Sequence, residues 1–202
     1  MDFFSQSGHW YIRNASGKIE AAHDLDLRGA RKVNARPSIT TVLKERANPA
    51  LDKWKQGILF QTMLDNPRYN NEELENYEGR IARLCSKPAS DAADFGKELH
   101  GELDRYPKPC TNEKFKPYMD LFGPSYESVV KNRVGSEVML CDDDIGIAGT
   151  TDLIAETHEW GLAIIDYKTS RFKGKPPSFW TSYRLQLAFY RSEEHTSELQ
   201  SH

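Results

Sequence analysis

The residues with the clearest chemical capacity lie in the run GTTDLIAETHEWGLAIIDYKTS, residues 149–170. Asp152 falls in one predicted strand, Gly146 to Glu156, and Asp166 and Lys168 end the next, Leu162 to Lys168. Only Tyr167 separates Asp166 from Lys168, so in a strand both side chains project to one face. Asp152 and Asp166 lie fourteen residues apart, enough for a strand, a turn and a return. An adjacent antiparallel pair can then bring both carboxylates to one cation. Hard, anionic oxygen ligands suit Mg²⁺ or Mn²⁺. Lys168 adds positive charge where an attacking water or a scissile phosphate would sit, and such metal sites act by activating water and stabilising a pentavalent phosphate. Charged groups at the end of the apolar run Ala163-Ile164-Ile165 are costly to bury without a partner or metal. A lone D-x-K is usually a solvated strand end; G-x-x-D followed by an apolar run and D-Y-K-T-S is far more specific.

Two further signals flank this run. In Phe95-Gly96-Lys97-Glu98-Leu99-His100-Gly101-Glu102-Leu103, Phe95, Leu99 and Leu103 form an apolar helical stripe with His100 on its flank, one turn after Gly96. A lone helical histidine is usually bland, but imidazole is a competent metal ligand. Gln186 and Tyr190 stand at i and i+4 of the last predicted helix, hence on one face.

The elements that must position these residues can be read in turn. Residues 9–13 and 17–20 form a hairpin, and a polar stretch runs to Arg36. Pro37-Ser38-Ile39-Thr40-Thr41-Val42-Leu43 caps and opens a helix, with a hydroxyl at the cap and apolar residues behind. Pro49 to Leu64 is a helix with Leu51, Trp54, Ile58 and Leu59 on one face and Trp54 in the core; 66–71 breaks it. Glu72 to Leu84 is a second helix, with Glu72 to Glu78 as its solvated face, and Ser90 caps a third running to about Arg105. After the Pro-rich loop 106–112, Glu113 to Lys131 is a fourth, irregular at Gly123-Pro124. Ser136 to Cys141 is the first strand of the later group. Asp142-Asp143-Asp144 is a turn, since no EF-hand spacing follows. Gly174 to Pro177 is a loop and Ser178 to Tyr190 a helix. Helices, then three strands, then a helix, without internal repeats, argue for an α/β fold (α+β being the other reading) with a mixed central sheet flanked by helices. Trp180 and Tyr183, near Arg171, Lys173 and Lys175, offer either helix packing or a stacking edge for single-stranded nucleic acid.

Composition bounds the rest. The chain has 202 residues, 23.1 kDa, 38% hydrophobic, with mean hydropathy −0.69, which suits one domain with a small appendage. No apolar stretch approaches the roughly 18 residues of a membrane span, and the start lacks a signal-peptide pattern. Cys85, Cys110 and Cys141 are odd in number and widely spaced, which excludes a disulfide framework and fits a reducing cytoplasm. The tail RSEEHTSELQS, from Arg191 to Ser201, reads as the translation of a common sequencing-adapter oligonucleotide. The natural chain is then expected to continue past Tyr190, and the truncated form to be less stable. The 27 basic and 30 acidic residues differ only by Glu193, Glu194 and Glu198, so residues 1–191 are neutral. Any nucleic-acid surface must be local.

Together these features resemble the PD-(D/E)XK nuclease superfamily, in its RecB-like exonuclease branch. That branch orders a G-x-x-x-H helix, a strand with Glu, a G-x-x-D strand, a D/E-x-K strand and a Q-x-x-x-Y helix. Here these are Gly96 and His100, Glu137, Gly149 and Asp152, Asp166 and Lys168, and Gln186 and Tyr190, over about residues 90–190. The segment 37–43 followed by Trp54-Lys55, with Arg28 to Lys32 before it, is similar to the mitochondrial genome maintenance exonuclease family and its phage relatives. The resemblance implies a restriction-endonuclease-like core over 90–190, C-terminally truncated, behind an N-terminal hairpin and helical region 1–89; on the adapter reading, 191–202 is non-native. It implies a Mg²⁺- or Mn²⁺-dependent exonuclease on single-stranded DNA ends, in phage or bacterial replication, recombination or repair. Its partners would be DNA and a recombination or single-strand-binding protein, with no membrane. His100, Asp152 and Asp166 would ligate the metal with the Tyr167 carbonyl. Lys168 would orient water or stabilise the transition state, Glu137 would position water or a second ion, Gln186 would brace the strand or touch a phosphate, and Tyr190 would pack near substrate. Ser38, Thr40 and Thr41 could bond the entering strand. Thr151 replaces the proline of the family's name, an ordinary departure in this branch. Alternatives are an iron–sulfur nuclease of CRISPR-adaptation type using Cys85, a catalytically silent DNA-binding fold, or a restriction endonuclease.

Overall fold

The computed structural model describes residues 9–22, 25–45, 49–170 and 179–199, except the side chains of Ala50 and 192–199. The chain divides into two units: Met1–Gln6 with Arg46–Lys97, and Ser7–Glu45 with Glu98–His202.

The first unit is helical. Helix α3 (Pro49–Asp65) opens on a proline, and α4 (Leu74–Arg105) follows the break at 66–73. Trp54 is 59% exposed rather than in the core, and Leu51, Phe60 and Leu64 are exposed too. The apolar residues of α3 are scattered around the helix instead of forming one stripe, so no single face can bury them. Nor is Glu72 simply solvated. Arg80 donates through Nε and Nη2 to its two carboxylate oxygens, each at 2.8 Å, and its guanidinium lies 4.6 Å from the Tyr69 ring centroid. The two helices expected before and after Ser90 are one: α4 runs through Pro88 without a stop. An interior proline costs about 3 kcal/mol. The alanines at 89, 92 and 93 favour continuing the helix, and Ser90 lies inside it rather than at a cap.

The second unit carries two three-stranded sheets. β1 (Trp10–Arg13), β2 (Ile19–Ala22) and β3 (Arg36–Pro37) are ordered β2-β1-β3 and pair antiparallel. The expected polar stretch before Arg36 contains a helix, α1 (Leu27–Lys32), capped by Asp26, whose Oδ1 accepts from the Gly29 amide at 2.6 Å. β4 (Val130–Asp142), β5 (Ile147–Thr157) and β6 (Gly161–Ile165) form the larger sheet, ordered β4-β5-β6 and antiparallel. The parallel component is the bridge of Ser38 to Ala148, which takes up part of β5 that β6 leaves uncovered. Helices α2 (Ile39–Lys44), α5 (Lys116–Val129, after a 3-10 turn at Glu113–Phe115) and α6 (Thr181–Leu199), with the last part of α4 from Glu98 to Arg105, which carries His100, complete the unit.

Two boundaries differ from expectation. β4 begins at Val130, not Ser136, and so takes in Lys131, expected in the helix. Its early part is irregular, with register shifts between Val130 and Asn132 and between Arg133 and Gly135, which disrupt the alternation that would mark it in the sequence. β6 ends at Ile165, so Asp166 and Lys168 lie just beyond it rather than in it. The triple-aspartate turn is closed by Asp142 Oδ1, which accepts from the amides of Asp144 and Ile145 at 2.9 Å. Asp143 reaches out to Arg13 at 2.6 Å and Arg36 at 3.6 Å, fastening the small sheet to this turn. One core cluster joins Ile39, Phe189 and Tyr190; another joins Val130, Leu153 and Ala155. Among the described residues no helix is long and apolar enough to cross a membrane.

Candidate active site

β5 and the segment after β6 bring the two aspartates together because the tight return at 158–160 fixes their register, Leu153 lying opposite Ile165. Asp152 Oδ2 accepts from the Tyr167 amide at 2.5 Å, which pins the chain as it leaves the sheet. Asp152 Oδ1 lies 3.5 Å from His100 Nδ1 on α4. The His100 ring packs edge-on against Tyr167, centroids 5.9 Å apart, and Tyr167 in turn against Phe122 of α5 at 5.5 Å. Asp166 pairs with Lys168 through Oδ2 and accepts from Gln186 Nε2 through Oδ1 at 3.0 Å. Lys168 Nζ also lies 5.5 Å from the Tyr183 ring centroid.

Helix α6 braces this cluster. Gln186 Nε2 donates to the Tyr190 hydroxyl at 3.0 Å, and that hydroxyl donates to the Thr150 carbonyl at 2.8 Å. Tyr190 is buried against Gly149: a Cβ at Gly149 would stand 2.6 Å from Tyr190 Cε1. The glycine of G-x-x-D thus makes room for the tyrosine of Q-x-x-x-Y. Thr151, fully buried, leaves its hydroxyl without a partner among the described residues. Glu137 lies between the pairs Ser136–Leu153 and Val138–Thr151, which puts it across from Asp152. Its backbone is left-handed, φ 50°, an uncommon state for a residue with a side chain.

Electrostatics separate these groups from ordinary surface charges. Burial raises the Asp166 carboxyl above its usual range; Lys168 opposes this and Asp152 reinforces it. Burial also raises Glu137, helped by the charges of Asp152 and Asp104. His100 is raised by its hydrogen bond to Asp152, against the effect of burial. Three crowded carboxyls facing one imidazole are what a bound cation would relieve. Asp152, Asp166 and Glu137 supply hard oxygen donors and His100 a nitrogen, so the donor chemistry fits Mg²⁺ or Mn²⁺. As the side chains stand, no three such groups among the described residues enclose an ion; Lys168 and His100 balance the carboxylates instead.

The other sequence candidates fall apart from this cluster. Ser38 is buried and caps α2: its hydroxyl accepts from the Thr41 amide at 3.0 Å and bonds the Thr40 and Thr41 hydroxyls. Trp180 is 61% exposed at the start of α6, beside exposed Phe179. Arg171, Lys173, Lys175 and the 174–177 loop lie outside the described residues. The cysteines are free, and Cys141 is pushed up to about 11, first by burial and then by Asp143. Sequence reasoning missed Tyr11, whose hydroxyl meets Thr150 Oγ1 at 2.9 Å; a hairpin aromatic carries no periodic signal that reports a distant partner.

Comparison with curated proteins finds no match. A family model of the PD-(D/E)XK nuclease superfamily matches residues 112–192, under half of the chain. The matched span holds Glu137, Gly149, Asp152, Asp166, Lys168, Gln186 and Tyr190, while His100 precedes it. The match supports a metal-dependent nuclease, a hydrolase of phosphodiester bonds that binds DNA.

Proposed function

We propose that this protein is a divalent-metal-dependent DNA exonuclease acting on single-stranded ends, in the RecB-like branch and related to the mitochondrial genome maintenance exonucleases, serving phage or bacterial DNA replication, recombination or repair. The observation that carries the reading is the convergence of Asp152, Asp166, Lys168 and His100 at the end of β6, braced by Gln186 and Tyr190.

Asp152, Asp166 and His100, with the Tyr167 carbonyl, would hold a Mg²⁺ or Mn²⁺ ion, which when bound lowers the pKa of water and offsets phosphate charge. Lys168 places a positive charge beside the attacking water and the phosphate it meets. In hydrolysis the water oxygen bonds to phosphorus, the bond from phosphorus to the leaving sugar oxygen breaks, and that oxygen takes up a proton. Glu137, whose carboxyl burial holds above its ordinary value, would orient the water. Gln186 keeps Asp166 facing the site. Exposed Trp180, with Tyr183 beside Lys168, offers stacking surface for unpaired bases. Thr40 and Thr41, whose hydroxyls bond the buried Ser38, that of Thr41 also accepting from the His9 amide at 3.2 Å, would meet the entering backbone with the bonding capacity that remains.

The test is digestion of linear and circular single-stranded DNA with Mg²⁺, Mn²⁺ or chelator, beside Asp166→Ala. Loss of linear DNA alone, dependent on metal and on Asp166, is the expected result. Cutting of the circle would make the protein an endonuclease. Binding without cutting would make it a silent DNA-binding fold.

A further inference from the structure

We infer that Tyr11, on the N-terminal hairpin, is a positioning residue of the candidate active site; this rests on the nuclease reading above. Tyr11 is buried in β1, and its hydroxyl bonds Thr150 Oγ1 at 2.9 Å. Thr150 precedes Asp152 by two residues in β5, so strand alternation sends both side chains to one side. The Thr150 carbonyl accepts from Tyr190, Tyr190 accepts from Gln186, and Gln186 donates to Asp166, at 2.8, 3.0 and 3.0 Å. One residue of β5 therefore receives the hairpin through its side chain and the brace of Asp166 through its backbone.

The hairpin is itself held where this contact requires it. Ser38 donates its amide to the His9 carbonyl at 2.8 Å and bridges Ala148, the second residue before Thr150. On the other side, Arg13 is fixed by Asp143. Tyr11 thus sits on a strand anchored at both ends, and its hydroxyl reaches β5 at Thr150, two residues before Asp152. A tyrosine needed only to fill space would not have to place its hydroxyl on Thr150. Its ring supplies the packing, and its hydroxyl fixes the threonine.

The variants are Tyr11→Phe, which keeps the ring, and Thr150→Val, which keeps the branched shape and the backbone carbonyl. Each is compared with the full chain for kcat and KM on linear single-stranded DNA with Mn²⁺, and for thermal midpoint. Loss of one hydrogen bond that positions the site should lower kcat roughly threefold to tenfold, with KM and the thermal midpoint little changed. The double variant should be no worse than either single one, because both remove the same contact. An active wild type with unchanged kcat in Tyr11→Phe overturns this inference and leaves the nuclease reading intact. A fall in kcat that merely follows a fall in thermal midpoint, or additive losses in the double variant, also overturns it. A wild type as inactive as Asp166→Ala overturns the nuclease reading itself, and this inference with it.

Discussion

Two aspartates in the second unit each face a basic side chain, and they end with opposite electrostatics. Asp143, in the turn between β4 and β5, is 50% exposed and bonds Arg13, with Arg36 nearby; Asp166, beyond β6, is 7% exposed and pairs with Lys168. Burial pushes both carboxyls up. At Asp143 the push is outweighed by the hydrogen bond from Arg13 and the charges of both arginines, and the carboxyl falls below its ordinary value. At Asp166 burial wins over Lys168, Asp152 adds to it, and the carboxyl rises. The first pair is a fastening, solvated and self-sufficient. The second is a buried anion that its own chain compensates incompletely, the condition in which an added cation gains most.

The comparison can be broken from its strong end downwards. Asp166→Ala removes the proposed ligand and should lower DNA hydrolysis roughly a thousandfold or more, from the several kcal/mol that a metal site supplies. Asp143→Asn keeps a side-chain oxygen that can accept from Arg13, so the hairpin stays anchored and the rate should be little changed. Steady-state digestion of linear DNA measures both. Gly149→Ala drives a Cβ into the Tyr190 ring and should destabilise the protein by about 1–3 kcal/mol through overpacking. It should also reduce activity, because Gln186 and Asp166 lean on Tyr190; denaturant melts beside rate measurements separate the two effects. Thr151→Val replaces a buried, unpartnered hydroxyl by a methyl of the same shape, and should be neutral or stabilising by about 1 kcal/mol.

The smallest effects carry the sign of the comparison itself. Asp166 has a raised folded-state pKa, so the folded chain holds that proton more tightly than the unfolded one. Its contribution to the metal-free protein therefore falls as pH rises from the ordinary carboxylate range through the raised value. Asp143 is lowered, so its contribution is present above the ordinary range and is lost as pH falls below it. Against wild type in chelator, Asp166→Asn should flatten the first slope and Asp143→Asn the second. At neutral pH Asp143→Asn should cost about 0.2–1 kcal/mol, as a half-solvated ion pair does. Melts across acid to neutral pH check both slopes, and two variants sharing one slope would erase the distinction.

Much of the candidate site was legible because it is local. A strand, a three-residue return and a strand bring Asp152 and Asp166 together, and one helical turn aligns Gln186 with Tyr190. The capping of α2 by Ser38 was equally plain, since a hydroxyl before an apolar helix start is a local signal. What escaped depends on distant partners or broken periodicity. Tyr11 meets Thr150 across 139 residues, and Arg13 meets Asp143 across 130. The first part of β4 hid behind its bulges. The helix expected to end at Leu84 runs on through Pro88, and Trp54 read as core although its helix buries no stripe.

The most direct measurement is divalent-ion stabilisation. Thermal melts of wild type, Asp166→Ala and Asp143→Asn with Mg²⁺, Mn²⁺ or chelator test whether Asp166 is held for a cation. Wild type and Asp143→Asn should both gain about 2.7 kcal/mol at a hundredfold excess over the dissociation constant, and Asp166→Ala should gain none. A wild type indifferent to both ions, or an Asp166→Ala protein stabilised as much as wild type, would contradict the account.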